Sequence, residues 1–357
     1  MNLKFKMKCL LLIISSVVVL SCDSSEDYKD INYNLLGYVL GDNPNLSSFN
    51  TAVKRSGISE QLLGEGDLAV FAPSNLAFER VSAYFPNALT GPIEPVSNMT
   101  KYHIAENVID VNMKELGKYK EVSTLSGEKI YYARWYDNYR KDTVMMVNGC
   151  LVNKRRANAT NGVLYVLDRV LSLPTHHSLL DFINHRDDLT LFAQAIIYAD
   201  MKAVFSGSEL YTVFAPNNNA MYAAGYSSLE SIREADPLVL RKLILEHILK
   251  DRFFVKDFYM LGDMHYEGNV AVDTWLASGA AERVGKDGIQ GSLSLGMLSG
   301  GSIQFRYSYS ELLEYGYLDG ERLELIDAGG NISKVHLANR DFALDNGALH
   351  VVDSVLP

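Results

Sequence analysis

Apolar residues recur along this chain at two spacings, and the change from one to the other marks out its elements. Leu46, Phe49 and Val53 stand at i, i+3 and i+7, as do Leu189, Phe192 and Ile196, so each set predicts an amphipathic helix with its apolar stripe toward a core. Leu68 to Ala72 is a short apolar run stopped by Pro73, which reads as a strand; Ser74 or Asn75 then caps a helix carrying Ala77, Phe78 and Val81. Asp236 followed by Pro237 predicts a helix start, and Leu240, Leu243, Ile244, His247 and Ile248 then line one face, which places His247 inward. After Asn161-Gly162, a turn pair that admits positive φ, alternation through Val163, Tyr165 and Leu167 predicts a strand. Helices alternate irregularly with short strands, an α+β arrangement without the regular units of a doubly wound sheet.

The pattern occurs twice. At a shift of 143 residues, Leu46, Phe49, Ala52 and Gly64 fall on Leu189, Phe192, Ala195 and Gly207, and Val70-Phe71-Ala72-Pro73 falls on Val213-Phe214-Ala215-Pro216. Asn75 and Ala77 continue onto Asn218 and Ala220, and one residue of further shift brings His103 onto His247. The halves also close alike, Asn161-Gly162 through Asp168 matching Asn346-Gly347 through Asp353. Two copies of one domain are the economical interpretation, with the seam near Pro174 to His177. The expected organisation is 1–21 signal peptide, 22–31 acidic tether, 32–174 first domain and 175–357 second domain, with a Gly/aromatic-rich insertion around 265–330. Two separate, homologous cores are therefore expected. The second copy departs from the first by Met221 in place of Phe78 and Glu246 in place of Tyr102. It also holds about 41 more residues between its histidine and its closing Asn-Gly, since His103 to Asn161 spans 58 positions and His247 to Asn346 spans 99.

Two aromatic clusters are candidates for ligand contact. In the insertion, Ile303, Phe305, Tyr307 and Tyr309 alternate with polar residues and define one aromatic strand face that, exposed, could stack on sugar rings or peptide; burial against its own sheet is the other reading. In the first copy Trp135, Tyr136 and Tyr139 sit beside Asp137, Asn138, Arg140 and Lys141, a setting typical of a loop or hairpin tip. Trp135, Tyr136, Tyr139, Tyr307 and Tyr309 are accordingly the expected contact residues.

Composition and charge narrow the function. The 357 residues are 48% apolar and 21% charged, and the net charge of −10, without a basic run after the first residues, argues against nucleic acid. Lys4, Lys6 and Lys8 precede an apolar run from Cys9 to Leu20 that is too short to span a bilayer, which reads as an export signal. Val19-Leu20-Ser21-Cys22 resembles the lipobox of bacterial lipoproteins, which would make Cys22 a lipid anchor and Asp23 to Asp27 a tether to the cell envelope, with surface exposure on an outer membrane favoured by the acidic stretch. Cys150 is then alone in the mature chain, in an apolar strand-like run, and reads as a buried structural thiol. No nucleophile elbow, metalloprotease helix, phosphate-binding loop or Cys-x-x-Cys pair is present, so no catalytic residue and no cofactor is expected. His176, His177 and His185 could be imagined as a metal site, but an interdomain helix start is the simpler reading, and no metal is expected.

The strand ending Phe-Ala-Pro-x-Asn-x-Ala, a histidine on a helix (Tyr102-His103 in the first copy), and Asn-Gly followed by an alternating strand closing on aspartate together resemble the fasciclin (FAS1) domain, in order and twice. The resemblance implies two tandem fasciclin-like domains, each a compact β-sandwich or wedge with packed helices. It makes Phe71, Pro73, Asn75, Tyr102, His103, Asn161, Gly162 and Asp168 in the first copy family-motif positions, structural in role. Phe214, Pro216, Asn218, His247, Asn346, Gly347 and Asp353 are their counterparts in the second. By analogy it implies a non-catalytic binding or adhesion module that recognises an extracellular protein or glycan; the alternative is a glycan-capturing accessory protein of a surface polysaccharide-uptake system.

Overall fold

Each half of the chain is built around one parallel strand pair. A computed structural model describes residues 33–82, 89–109, 111, 113–137, 141–266, 276–284, 288–310, 322–335 and 339–356. Residues 34–357 form one compact unit. In the first half the strands are β1 (Leu68–Pro73), β2 (Ile104–Ala105), β3 (Lys120–Ser123), β4 (Lys129–Asp137), β5 (Asp142–Val147), β6 (Cys150–Ala159) and β7 (Gly162–Leu167), in one sheet of order β2-β1-β7-β6-β5-β4-β3. β1 runs parallel to β7, the last strand of its half, with Phe71 opposite Tyr165. The register of β6 against β7 shifts between Val152 and Arg156, just beyond Cys150 and Leu151, which pair with β5.

The second half repeats the inner part of this design. Its β8 (Tyr211–Pro216), β9 (Ile248–Lys250), β15 (Phe342–Leu344) and β16 (Gly347–Val352) form a sheet of order β15-β16-β8-β9, which matches β6-β7-β1-β2 strand for strand. β8 runs parallel to β16 with Phe214 opposite His350. The sheet then stops, and β10 (Leu276–Val284), β11 (Gly288–Gly296), β12 (Ser302–Ser310), β13 (Arg322–Ile326) and β14 (Ile332–Lys334) make a separate antiparallel meander. The expected insertion is thus a second sheet, preceded by the helix Val255–Tyr266.

The helices form where the periodicity places them. Ser47–Arg55 buries Phe49, Ala52 and Val53, and Thr190–Tyr198 buries Leu191, Phe192, Ala195 and Ile196. Asn217 caps the helix Asn218–Ala223 by accepting from Ala220 N, and Asp236 caps Pro237–Leu245 by accepting from Leu238 N. In the first copy Ser74 is the capping residue, its hydroxyl accepting from Ala77 N at 3.2 Å.

Each half keeps a core of its own. One joins Leu36, Phe49, Val53, Val70, Phe78 and Leu164; its counterpart joins Leu179, Phe192, Ile196, Val213, Met221 and Leu349. The expectation of two wholly separate cores needs one correction: a third cluster joins Ala133, Trp135, Val144 and Met146 of the first half to Phe258, Leu261, Phe305 and Leu325 of the second. The cause is the helix Val255–Tyr266, which packs on β4 as well as on the meander.

Candidate functional site

The motif residues prove to be a duplicated hydrogen-bond frame. The Asn161 side chain accepts from Leu36 N at 2.9 Å and donates to the carbonyls of Leu62 and Gly64 at 3.0 and 2.7 Å. Asn346 does the same with Leu179 N, Phe205 O and Gly207 O, at 2.9, 2.9 and 3.0 Å. Glycine must follow each asparagine: a Cβ on Gly162 would lie 2.1 Å from Leu68 O, and one on Gly347 would lie 1.9 Å from Tyr211 O. Asn75 and Asn218 each tie a helix start to the preceding turn, accepting from Ser48 N and Leu191 N and donating to Pro44 O and Asp187 O. Pro73 and Pro216 end β1 and β8, and Phe71 stacks on Tyr165 as Phe214 stacks on His350, with centroids 5.3 and 5.4 Å apart.

His103 and His247 are wholly buried, and both ring nitrogens of each are occupied by main chain. His103 Nε2 accepts from Leu171 N at 2.9 Å, so its Nδ1 carries the proton and donates to Met99 O at 2.8 Å; His247 stands between Leu356 N and Leu243 O in the same way. Burial pushes both imidazoles down to about 4 and keeps them neutral. Tyr102, also buried, donates to Lys129 O and accepts from Asn148 Nδ2, and burial raises its phenol. Cys150 is a free, buried thiol pushed up to about 12 by burial, which makes it inert.

Two expected ligand contacts are corrected. Trp135 is 1% exposed and Tyr307 3% exposed. Trp135 does lie near a hairpin, but two residues back from the Asp137–Asp142 pair that ends it, on the strand face that the second half covers; its ring also lies against Gly117. Tyr307 stands opposite Leu323 with its ring edge-on to Tyr259, so the aromatic face of β12 is spent on its own core. Tyr136 is half-buried. Tyr309 lies opposite Ile289 in the meander. Tyr139 and Cys22 fall outside the described residues.

Beside the apolar cluster, the seam between the halves has a largely buried polar part that the sequence reading missed. Lys256, 3% exposed, donates to Asp168 at 2.8 Å; Arg169 donates to Asp341 at 2.8 Å and to Gly149 O at 2.6 Å. Arg252 lies 3.5 Å over the ring of Tyr131 while donating to the carbonyls of Gly347, Leu344 and Asp345. Tyr119 Oη donates to Asp257, whose carboxyl burial pushes up to about 8. Motif residue Asp168 is therefore used across the seam, whereas among the described residues its counterpart Asp353 accepts a local bond from Lys334 N in its own half. The available signal was Arg252-Phe253-Phe254-Val255-Lys256-Asp257-Phe258, where charges interrupt an aromatic run.

Two surface features remain. Beside the linker lies an open cleft of about 960 Å³ with an apolar wall of Pro92, Pro95, Met99, Leu173 and Phe342, and with His176 and His185 on its rim. On the second half, three helices that pack on Thr190–Tyr198 carry exposed apolar side chains: Tyr222 at 49%, Leu229 at 45%, Leu238 at 74% and Val239 at 53%.

Duplicated α+β domains whose motif residues brace the backbone define a class of tandem modules with a shared structural frame. A model of the fasciclin domain matches residues 44–174 and 187–278, well over half of the chain, and the chain belongs to that family. It is 27% identical over 192 residues to transforming growth factor-beta-induced protein ig-h3 of Sus scrofa, covering 53% of this chain and 27% of that protein. It is 28% identical over 195 residues to periostin of Homo sapiens, covering 54% of this chain and 22% of that protein. The chain thus spans about a quarter of the length of these relatives. Protein sll1483 of Synechocystis is 30% identical over 138 residues, 38% of this chain and 72% of that protein. Among solved structures, a FAS1 domain pair from the insect cell adhesion molecule fasciclin I aligns over 88% of this chain and 97% of that one, at 16% identity and a TM-score of 0.37. No helix among the described residues is long and apolar enough to cross a membrane.

Proposed function

We propose that this protein is a non-catalytic adhesion module, tethered to the cell envelope through an acylated Cys22, whose two fasciclin domains (32–174 and 175–357) act as one body and bind an extracellular protein. The observation that carries the reading is the exposure of Tyr222, Leu229, Leu238 and Val239 on three helices of the second domain that each pack on Thr190–Tyr198, since apolar side chains left in water are candidates for cover by a partner. The non-catalytic part is supported by what the reactive groups do: both motif histidines are engaged by main chain, and the thiol is sealed. Glycan capture is the weaker reading, because Trp135 and Tyr307 cannot offer a stacking platform while buried.

The test is a binding screen of the protein lacking residues before Asp23 against extracellular matrix proteins and glycans, repeated with Leu238→Asp/Val239→Asp. Loss of protein binding in the double variant at unchanged melting temperature is expected. Binding that this variant leaves intact, or binding to glycans alone, would overturn the reading. Cys22→Ala should release the full chain from membranes; retention would show that the anchor lies elsewhere.

A further inference from the structure

We infer that His176, Asp181 and His185 form a binding site for a divalent transition-metal ion of the zinc class on the rim of the cleft. The residues come from two places. His176 belongs to the linker, whereas Asp181 and His185 stand at i and i+4 about the helix Leu179–Asn184, a spacing that sets two side chains on one face. One ligand atom from each lies within 4.8 Å of the other two. His176 Nδ1 is 3.1 Å from Asp181 Oδ2, and His185 Nδ1, which lies 2.8 Å from the main-chain oxygen of Asp181, is also 3.2 Å from Asp181 Oδ1, so one carboxylate stands between two imidazoles.

The helix ends account for part of this: His185 follows the last residue of Leu179–Asn184, and its Nδ1 donates to the Asp181 carbonyl one turn back, which leaves its Nε2 for a ligand. Ser178 is the residue that caps the helix, accepting from Asp181 N, and the cap needs neither histidine. The two rings stack at 4.5 Å with 15° between their planes, and Phe182 sets its edge against His176 at 6.2 Å, which holds that ring in place. The neighbouring cation is occupied elsewhere: Arg186 donates twice to Asp188, at 2.8 and 2.7 Å, and lies over the rings of Phe182 and Phe342. His177, adjacent in sequence, faces Glu128 and Asp345 instead, at 3.7 and 3.6 Å.

The donor set selects the ion. Two imidazoles with one carboxylate suit zinc and its neighbours and are too nitrogen-rich for calcium or magnesium. Ligand atoms of a tetrahedral zinc ion lie about 3.3 Å apart, so small rotations of side chains that are 24%, 45% and 59% exposed close the set. Three protein ligands leave coordination positions for water or a donor entering the cleft. Bound metal would fasten the linker to the first helix of the second domain.

The test is calorimetric titration of the full chain, free of any affinity tag, with Zn²⁺. One ion per chain is expected, with His176→Ala, His185→Ala and Asp181→Asn each weakening binding at least about tenfold and His177→Ala leaving it unchanged. Imidazole NMR of the unsubstituted protein reads the ligands without any variant: two of its eight histidines should shift at one equivalent. Absence of binding, equal binding by the His176→Ala/His185→Ala double variant, or shifts at other histidines would each overturn the site. Partner binding enters none of these readouts, so failure here leaves the adhesion reading standing.

Discussion

The two halves of this molecule agree in their hydrogen bonds and differ in their apolar surroundings. Asn161 and Asn346 hold three backbone groups each at matching positions, and His103 and His247 make the same pair of main-chain bonds. The cores about Phe49 and Phe192 also match, but around Phe71 and Phe214 the apolar surroundings have changed. Phe71 packs with Tyr102, Ile130 and Val147 of its own domain, whereas Phe214 packs with Phe258 and Phe305 beside Trp135 of the other. Tyr165 has become His350, which accepts from Asp341 N at Nδ1 and therefore donates from Nε2 to Phe253 O, the opposite tautomer to His103 and His247. A buried polar group must keep its partners or lose their full worth, while a buried apolar group need only fill space. Where the two halves meet, duplication has therefore preserved the first and released the second.

The severest challenge to this equivalence is Gly162→Ala against Gly347→Ala. Both place a methyl on a neighbouring carbonyl, and each should cost about 4 kcal/mol or more, read by urea denaturation. A tolerated substitution in one half would show that its Asn-Gly corner can yield. Next is the seam: Lys256→Met leaves Asp168 without its cation in a largely buried place and should cost about 3 kcal/mol. Asp353→Ala, at the position that matches Asp168, removes the acceptor of Lys334 N and should cost about 1 kcal/mol, and equal losses would contradict the asymmetry between the two aspartates.

Acid should then act on both halves alike. The folded state holds His103 and His247 at about 4 against an ordinary 6.5, so the unfolded chain binds more protons between these values. Their contribution is complete above pH 6.5 and is lost as pH falls toward 4, by up to about 3 kcal/mol per histidine. Asp257 acts in the opposite sense. Held at about 8 against 3.8, it favours the folded state at low pH and loses that contribution as pH rises to 8. These three groups together place maximum stability near pH 6.5, and Asp257→Asn should flatten the alkaline decline in a melting-temperature profile. The mildest comparison is Asn75→Ala against Asn218→Ala, each expected to cost about 1 kcal/mol because the bonded groups can turn to water.

How much of this could be read from the residues follows from the same distinction. The repeat and the inward position of His247 were legible because backbone demands fix particular residue types: glycine where a Cβ has no room, asparagine where one side chain must both accept and donate. The alternation Ile303, Phe305, Tyr307 showed a strand with one apolar face, and β12 is that strand. What covers such a face is not local information. Trp135 looked like a hairpin-tip aromatic from its polar neighbours, and it is buried because the helix Val255–Tyr266, more than a hundred positions away, lies on it. The convergence of His176, Asp181 and His185 was hidden in part because Asp181, between the histidines in sequence, looked like an ordinary first-turn acid.

Asn161 has a mechanical meaning if the chain is held at one end and its partner pulls. Traction arriving at Leu36 passes through the Asn161 amide to the start of β7, which is zipped along its length to β1, so the frame meets the pull as a shear across many rungs. Force spectroscopy of Asn161→Ala should give a lower rupture force than the unsubstituted chain, and an unchanged force would place the bearing contacts elsewhere. A brace that costs little at rest would then set how hard the tether can be tugged before the domain opens.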